Sequence, residues 1–278
     1  MATVTIGRKI GHLLVFTFFA LFAIAIIIPF IWMILTGLKT NRELFLAPWR
    51  MPNKFMFANY LQAWNEGIGN YFTNSVIVTL FSTIFSTMLS CLASYPLARM
   101  QFKFRKLWIL IILGGLMLAP QASLISLYRM MRVLHLFNTH LGLILVNSVF
   151  RIPFSTFLIM SYFGTIDKSM EESAYMDGAT TLTVFWKIIM PLSKPILASA
   201  FIICIRAVWN DLMFALVLIQ SDKLKTIPVG LMNMKGFTTT NWTVLVAGLM
   251  LASLPLIVAF IAMQRQFVRG LTEGSVKG

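Results

Sequence analysis

Six apolar blocks, separated by short polar stretches, organise the whole sequence. Each is roughly 20 residues long, the length a helix needs to cross the hydrocarbon of a bilayer. A single block of this kind is compatible with a buried helix of a soluble protein; six in succession are not. Charged residues make up 12% of the chain and apolar residues 58%, where a soluble domain carries about 25% charged residues. The sequence therefore predicts an all-α integral membrane protein with about six transmembrane helices, over 11–36, 75–97, 107–127, 141–163, 195–219 and 243–263. They form a single membrane domain spanning 1–278. The first block is longer than a signal-peptide core and no small-residue cleavage site follows it, so it is expected to be retained.

The formal net charge of +14 does not point to nucleic acid. The basic residues sit in the connections between apolar blocks, where inner-membrane proteins place them, and no basic face interleaves with aromatics. Cys91 and Cys204 lie inside apolar blocks and read as small buried hydrophobes. His12, His135 and His140 are scattered, as interfacial histidines are, and no metal-ligand spacing or nucleophile–base pair is visible. The G-x-x-x-x-G-K-[ST] phosphate loop is absent from the sequence. The chain is therefore not expected to be an enzyme, or to hold a cofactor or metal of its own.

Six spans put both termini on one side. The compact run Arg99-Met-Gln-Phe-Lys-Phe-Arg-Lys106 weighs most in choosing that side, because short basic segments next to helix ends set orientation. With Arg8, Lys9, Lys168, Lys187 and Lys194 it favours cytoplasmic termini. Lys39, Arg42, Arg50 and Lys54 in the long first outer loop pull the other way.

The connection 164–194 is unusually polar and holds Asp167, Glu171, Glu172 and Asp177. A short helix is predicted over 169–176, interrupted at Gly178. In the stretch that follows, Val184, Phe185, Ile188, Ile189 and Leu192 fall at helical spacing on one apolar face. Pro191 and Pro195 end it before the next span. From the residues alone, this pair of short helices is either a docking element for a cytoplasmic partner or an amphipathic hairpin resting on lipid or on its own bundle.

The run Glu171-Glu-Ser-Ala-Tyr-Met-Asp-Gly-Ala-Thr180, with Phe185, Ile188 and Pro191-Leu-Ser-Lys-Pro195, resembles the EAA motif of ABC importer permeases. Ser173 replaces the first alanine of that pattern, and Met190 the leucine before its proline. Asn59-Tyr, Tyr95-Pro-Leu-Ala-Arg99, Leu136-Phe-Asn-Thr139, Trp209-Asn-Asp211 and the tail Phe267-Val-Arg-Gly-Leu-Thr-Glu-Gly-Ser-Val-Lys-Gly278 extend the likeness to the maltose-type carbohydrate permeases over nearly the whole chain. The resemblance implies a subunit of a binding-protein-dependent sugar importer in the bacterial cytoplasmic (inner) membrane, multi-pass, with termini and loop cytoplasmic. It implies as partners a second homologous permease, a dimer of ABC ATPase subunits that binds ATP and Mg, an extracytoplasmic sugar-binding protein and the sugar itself. The loop 164–194 is then a coupling loop, with Glu171, Glu172, Ser173, Ala174, Asp177, Gly178, Ala179, Phe185, Ile188 and Pro191 as the ATPase-coupling residues. Glu172 matches the motif glutamate that pairs with a basic residue of the ATPase, and Gly178 the glycine that lets the chain turn. The tail 264–278, from about Gly270, matches the segment that reaches toward the ATPase.

Three sets of polar residues fall within predicted spans. Thr79, Ser82, Thr83, Ser86, Thr87, Ser90 and Ser94 share one face of the second helix, either to let helices pack closely or to line water. Asn147, Arg151 and Ser155 share a face of the fourth. An arginine there costs roughly 2.5–3.5 kcal/mol on insertion scales, so it is expected to face a cavity, a partner or a helix end. Arg206 and Asn210 share a face of the fifth, beside Trp209, whose indole suits either a sugar ring or a packed interface. These six are the candidate pathway-lining residues. Two other classes compete. A secondary transporter would show repeats with matching broken helices and intramembrane carboxylates; no repeat is visible and Asp211 is the one carboxylate inside a predicted span. A membrane-embedded enzyme or scaffold would need clustered catalytic side chains or a docking loop unrelated to transport.

Overall fold

A computed structural model gives the fold of the chain and describes residues 2–234 and 240–275. Every regular element among them is helical. In order they are α1 (Ala2–Gly37), α2 (Asn41–Leu46), α3 (Ala58–Ala63), α4 (Gly69–Arg99), α5 (Arg105–Gly114), α6 (Pro120–Val133) and α7 (His140–Thr165). Then follow α8 (Ser169–Met176), α9 (Thr181–Val184), α10 (Met190–Leu192), α11 (Lys194–Trp209), α12 (Met213–Leu218), α13 (Ile227–Asn233) and α14 (Trp242–Ser275). Four helices are long and apolar enough to cross a membrane, in α1, α4, α7 and α14, and the number rises to six only if each of two sharply bent helix pairs is counted as one span.

The chain divides into two compact units. The first comprises Met1–Asn70 and Leu231–Ser253. Its small core joins Ala63 to Val244 and Ala247 of α14. The loop leaving α1 is ordered by buried polar contacts. Asn59 Nδ2 donates to the carbonyls of Gly37 (2.9 Å) and Lys39 (2.7 Å). Lys39, 2% exposed, turns inward, and its ammonium donates to the Pro48 carbonyl at 2.7 Å. A reciprocal cap between Thr40 and Glu43 starts α2.

The second unit comprises Tyr71–Gly230 and Leu254–Gly278. The hydroxyl stripe of α4 is spent on helix packing. Ser82 donates to Ile144 O, Ser90 to Ile152 O and Ser94 to Thr156 O, each pair separated by the same 62 residues. A constant sequence offset means that α4 and α7 run parallel and in register. The chain between two parallel spans must cross back, and the apolar segment available is α5 with α6, which meet at 100°. The sequence expectation of one straight helix over 107–127 fails at Pro120. Leu118 and Ala119 before it are extended, with ψ of 113° and 119°, as the residue before a proline prefers.

The helix expected over 195–219 is likewise broken. Asp211 accepts from the amides of Phe214 and Ala215, both at 3.3 Å, and so restarts the chain as α12. At 1.5 Å per residue α11 is about 24 Å long, short of the roughly 30 Å of hydrocarbon. α12 continues alongside α7, where Leu218 O accepts from the amide of Asn138. Contacts of α7 with α11 pair Asn147 with Asp211, Arg151 with Ala207 and Ser155 with Cys204. Because one number rises as the other falls, these two helices are antiparallel.

α14 is antiparallel to α11 in turn: Ser199 Oγ donates to Phe267 O, and a Cβ on Gly270 would meet the Pro195 carbonyl and the Ser199 hydroxyl. The segment 264–275, expected as a tail beyond a helix 243–263, is thus a continuation of α14, with Gly270 buried against the base of α11. Residues 276–278 of that tail, and Lys235 in the connection before α14, lie outside the described residues, as do the side chains of Arg8 and Lys9. The base of α11, the end of α14 and the connection 164–194 therefore lie at one end of this unit.

Candidate functional site

The connection 164–194 begins where α7 ends. Asp167 Oδ1 accepts from the Ser169 amide at 3.0 Å and starts α8. α8 ends in two reversed hydrogen bonds, Ala179 N to Ala174 O (2.9 Å) and Gly178 N to Tyr175 O (3.0 Å). This is a Schellman cap, which needs a left-handed residue after the helix. Gly178 supplies it at φ +81°. Thr180 then caps α9, accepting from the Thr183 amide. α9 runs through a π-helical turn, Phe185–Ile189, into α10, where Pro191 stands in the first turn.

Burial divides the predicted coupling residues into two groups. Glu172, Ser173, Asp177, Gly178 and Pro191 are exposed, and Ala174, Ala179 and Ile188 are half-buried. Glu171 and Phe185 are buried within the chain. The apolar face expected to seat in a partner is turned the other way: Val184, Phe185 and Ile189 join Tyr95, Ile159, Phe163 and Ile196 in the core of this unit. An apolar stripe at helical spacing shows that one face is buried without saying in what. The large hydrophobic side chains of the loop left outside are Met176 (88% exposed), Leu182 (68%), Trp186, Met170, Tyr175 and Leu192. Of these, the sequence reading placed only Leu192 on the apolar face. Only Leu182 and Trp186 flank the buried stripe, and that position is their one legible signal.

Glu171 points onto the end of α4. Its Oε1 pairs with Arg99 Nε at 2.5 Å and its Oε2 accepts from the Tyr95 hydroxyl at 3.3 Å. Arg99 Nη2 also donates to Ile166 O (2.7 Å), just beyond α7. Arg105 turns back to cap α4, donating to Leu97 O at 2.7 Å. Two cations of the run 99–106 are thus held inside the fold; Lys103 instead lies over the ring of Phe104.

The candidate pathway residues separate in the same way. Asn147, wholly buried, donates to Asp211 Oδ2 at 3.3 Å, and its own Oδ1 has no partner. Arg151, half-buried, donates to Ala207 O and feels the charge of Asp211. These three gather where α11 breaks, and a broken helix is tolerated at membrane depth only where it is covered by protein or lines a cavity. Asp211 was not among the predicted site residues, and its place at the break was hidden by the assumption of a continuous helix. Ser155 is buried against Cys204. Trp209 is buried, its ring at 77° to that of Phe72 with centroids 6.0 Å apart, so the indole is packed against protein in this structure. Arg206 and Asn210 are exposed, with Asn210 Nδ2 on Arg206 O at 2.8 Å.

Among the described residues the protein is all-helical, and its capped two-helix loop packs one face into the second unit while the other is left exposed. Residues 90–273 match the family of binding-protein-dependent transport system inner membrane components. The chain is 43% identical over 269 residues to a probable ABC transporter permease protein, YurM, of Bacillus subtilis, covering 97% of this chain and 90% of that one. It is 35% identical to the melibiose/raffinose/stachyose import permease protein MelC of the same organism, covering 93% and 94%. The fold matches a bacterial ABC transporter solved by crystallography and involved in alginate import, with a TM-score of 0.79 at 22% identity over 93% of this chain and 97% of that one. The chain belongs to the binding-protein-dependent transport family and is a permease subunit of an ABC importer.

Proposed function

We propose that this permease moves a sugar or oligosaccharide into the cell as one of two related membrane subunits. Its termini and the loop 164–194 face the cytoplasm, where the loop seats on an ATPase dimer that binds ATP and Mg. An extracytoplasmic binding protein delivers the sugar. The observation that carries this reading is the left-handed turn at Gly178, which holds Glu172, Met176 and Leu182 outward while the opposite face of the loop is anchored in the bundle. A lever must be fixed on one side and free on the other. Closure of the ATPase dimer then becomes a rigid-body movement of the helices that the loop touches. Support for the sugar comes from relatives named for melibiose, raffinose and stachyose, and for trehalose and maltose. Exposed Arg206 and Asn210, with Asn147, Arg151 and Asp211 behind them, are the proposed polar lining of the path.

The test is uptake by the reconstituted complex of labelled raffinose, maltose and other neutral oligosaccharides, with Glu172→Ala as the variant. The expected result is ATP-dependent uptake of at least one of them, and loss of both uptake and ATPase co-purification in the variant without loss of membrane insertion. Full uptake by Glu172→Ala would remove that residue from coupling, and a complex that moved no sugar but moved another solute class would overturn the substrate assignment.

A further inference from the structure

Force applied to α8 has a covalent route into α7, through the three residues Ile166, Asp167 and Lys168. It has no such route into α4, whose last residue, Arg99, stands 72 positions before Glu171. Yet α4 carries the hydroxyl stripe on which α7 packs, so both helices must move together if the bundle is to switch. An ion pair at the end of α4 is suited to this. Of the two ion pairs among the described residues, Asp222–Lys225 lies in an outer loop, and the other joins the end of α4 to the first turn of α8.

The details of that second pair argue for a tie rather than a chance contact. Its side chains are only 4% and 10% exposed. Charges this far from water are held in place by geometry, because separating them would leave each buried without a counter-charge. Tyr95 stands one helical turn before Arg99 and donates to the second oxygen of the same carboxylate; its hydroxyl also meets that of Tyr175, at the far end of α8, at 3.3 Å. The Tyr95 ring packs on Phe163 of α7 and on Phe185 of the π-helical turn, with ring centroids 6.5 Å and 5.1 Å apart. Arg99 closes the set through Ile166 O. Two residues on one face of α4 thereby grip the end of α7, both ends of α8 and the second half of the loop.

We infer that Arg99 and Tyr95 are positioning residues that clamp the coupling loop to α4 through Glu171, so that Glu171 is a joint inside the permease and not a contact to the ATPase. This rests on the proposal that the loop is driven by an ATPase. It assigns the two adjacent glutamates opposite duties: Glu172 faces the driver, and Glu171 holds the lever to the bundle.

The experiment is ATP hydrolysis and sugar uptake measured side by side on the complete reconstituted importer carrying Glu171→Gln, Arg99→Met, Tyr95→Phe or the exchange Arg99→Glu with Glu171→Arg. Breaking the tie leaves hydrolysis running while uptake per ATP falls by about tenfold in the charge variants, the scale of a typical coupling between sites. Tyr95→Phe keeps the ring packing, removes one hydrogen bond, and lowers the ratio by about threefold. The exchange recovers part of the lost ratio. An unchanged ratio in Tyr95→Phe and Glu171→Gln, or hydrolysis and uptake falling in equal proportion in every variant, would overturn the tie. A wild-type chain that brought no ATPase into the complex would instead overturn the docking proposal on which it rests.

Discussion

Gly178 offers the sharpest separation of conformation from contact. Its φ of +81° lies in the left-handed region, and a Cβ built on it meets no heavy atom within 4 Å. A substitution there is strained through the backbone alone, since the space beside it is open. An L-residue in this region costs roughly 1–2 kcal/mol, which lowers the equilibrium constant of the turn by about 5- to 30-fold. Asparagine visits the region several-fold more readily than most residues, and a β-branched residue is an outlier there. The expected order of retained uptake is therefore Gly178→Asn, then Gly178→Ala, then Gly178→Val. Hydrogen exchange at the amides of residues 178 and 179, which close the cap onto Tyr175 O and Ala174 O, should accelerate least in Gly178→Asn and most in Gly178→Val. If all three variants lost uptake equally while those amides stayed protected, the conformational argument would be wrong. The glycine would then be required because a partner approaches it closely.

Other consequences follow from single contacts. Gly230→Ala places a methyl against the ring of Tyr71, which is held at its far end by the Asp222 carboxylate; it should destabilise the fold by about 1–3 kcal/mol in thermal denaturation. Asn59→Ala removes two buried hydrogen bonds from the loop after α1 and should cost a similar amount, about 1–3 kcal/mol, read as faster proteolysis of that loop. Hydrogen bonds from the backbone of Thr40 and from Asn53 hold the Glu43 carboxyl below its ordinary value of 4.5. A depressed carboxyl contributes stability that is present above 4.5 and lost as pH falls through the lowered value. Exchange at the Thr40 and Asn53 amides should therefore quicken only in acid, and Glu43→Gln should abolish that dependence. Arg151→Met should alter uptake or assembly more than Lys103→Met, because Arg151 is half-buried beside Asp211 whereas Lys103 is exposed; equal effects would contradict the placement of Arg151 on the path.

The membrane class, the helical content and the position of the loop were legible because they rest on block length, and block length follows directly from bilayer thickness. Gly178 was legible too, as an interruption between two helical stretches, although its left-handed geometry was not. The direction of the loop's apolar face was not legible: periodicity gives the face, and only the bundle decides whether it turns inward. Nor could local pattern distinguish Glu171 from Glu172. Adjacent residues on a helix point about 100° apart, and which of them meets Arg99 depends on a helix 72 residues earlier. The breaks before Pro120 and at Asp211 show a further limit. Both sit inside apolar runs that composition alone reads as straight spans, and each is created by one residue, a proline without an amide and an aspartate that captures two.

The most direct test of the coupling account is photo-cross-linking from Met176, the most exposed large hydrophobic side chain of α8. A photoreactive amino acid at that position, irradiated in native membranes, should attach the chain to a subunit bearing a G-x-x-x-x-G-K-[ST] loop, identified by mass spectrometry. The yield should change when ATP is added. Attachment to lipid or to the chain itself, in membranes that still import sugar, would contradict it.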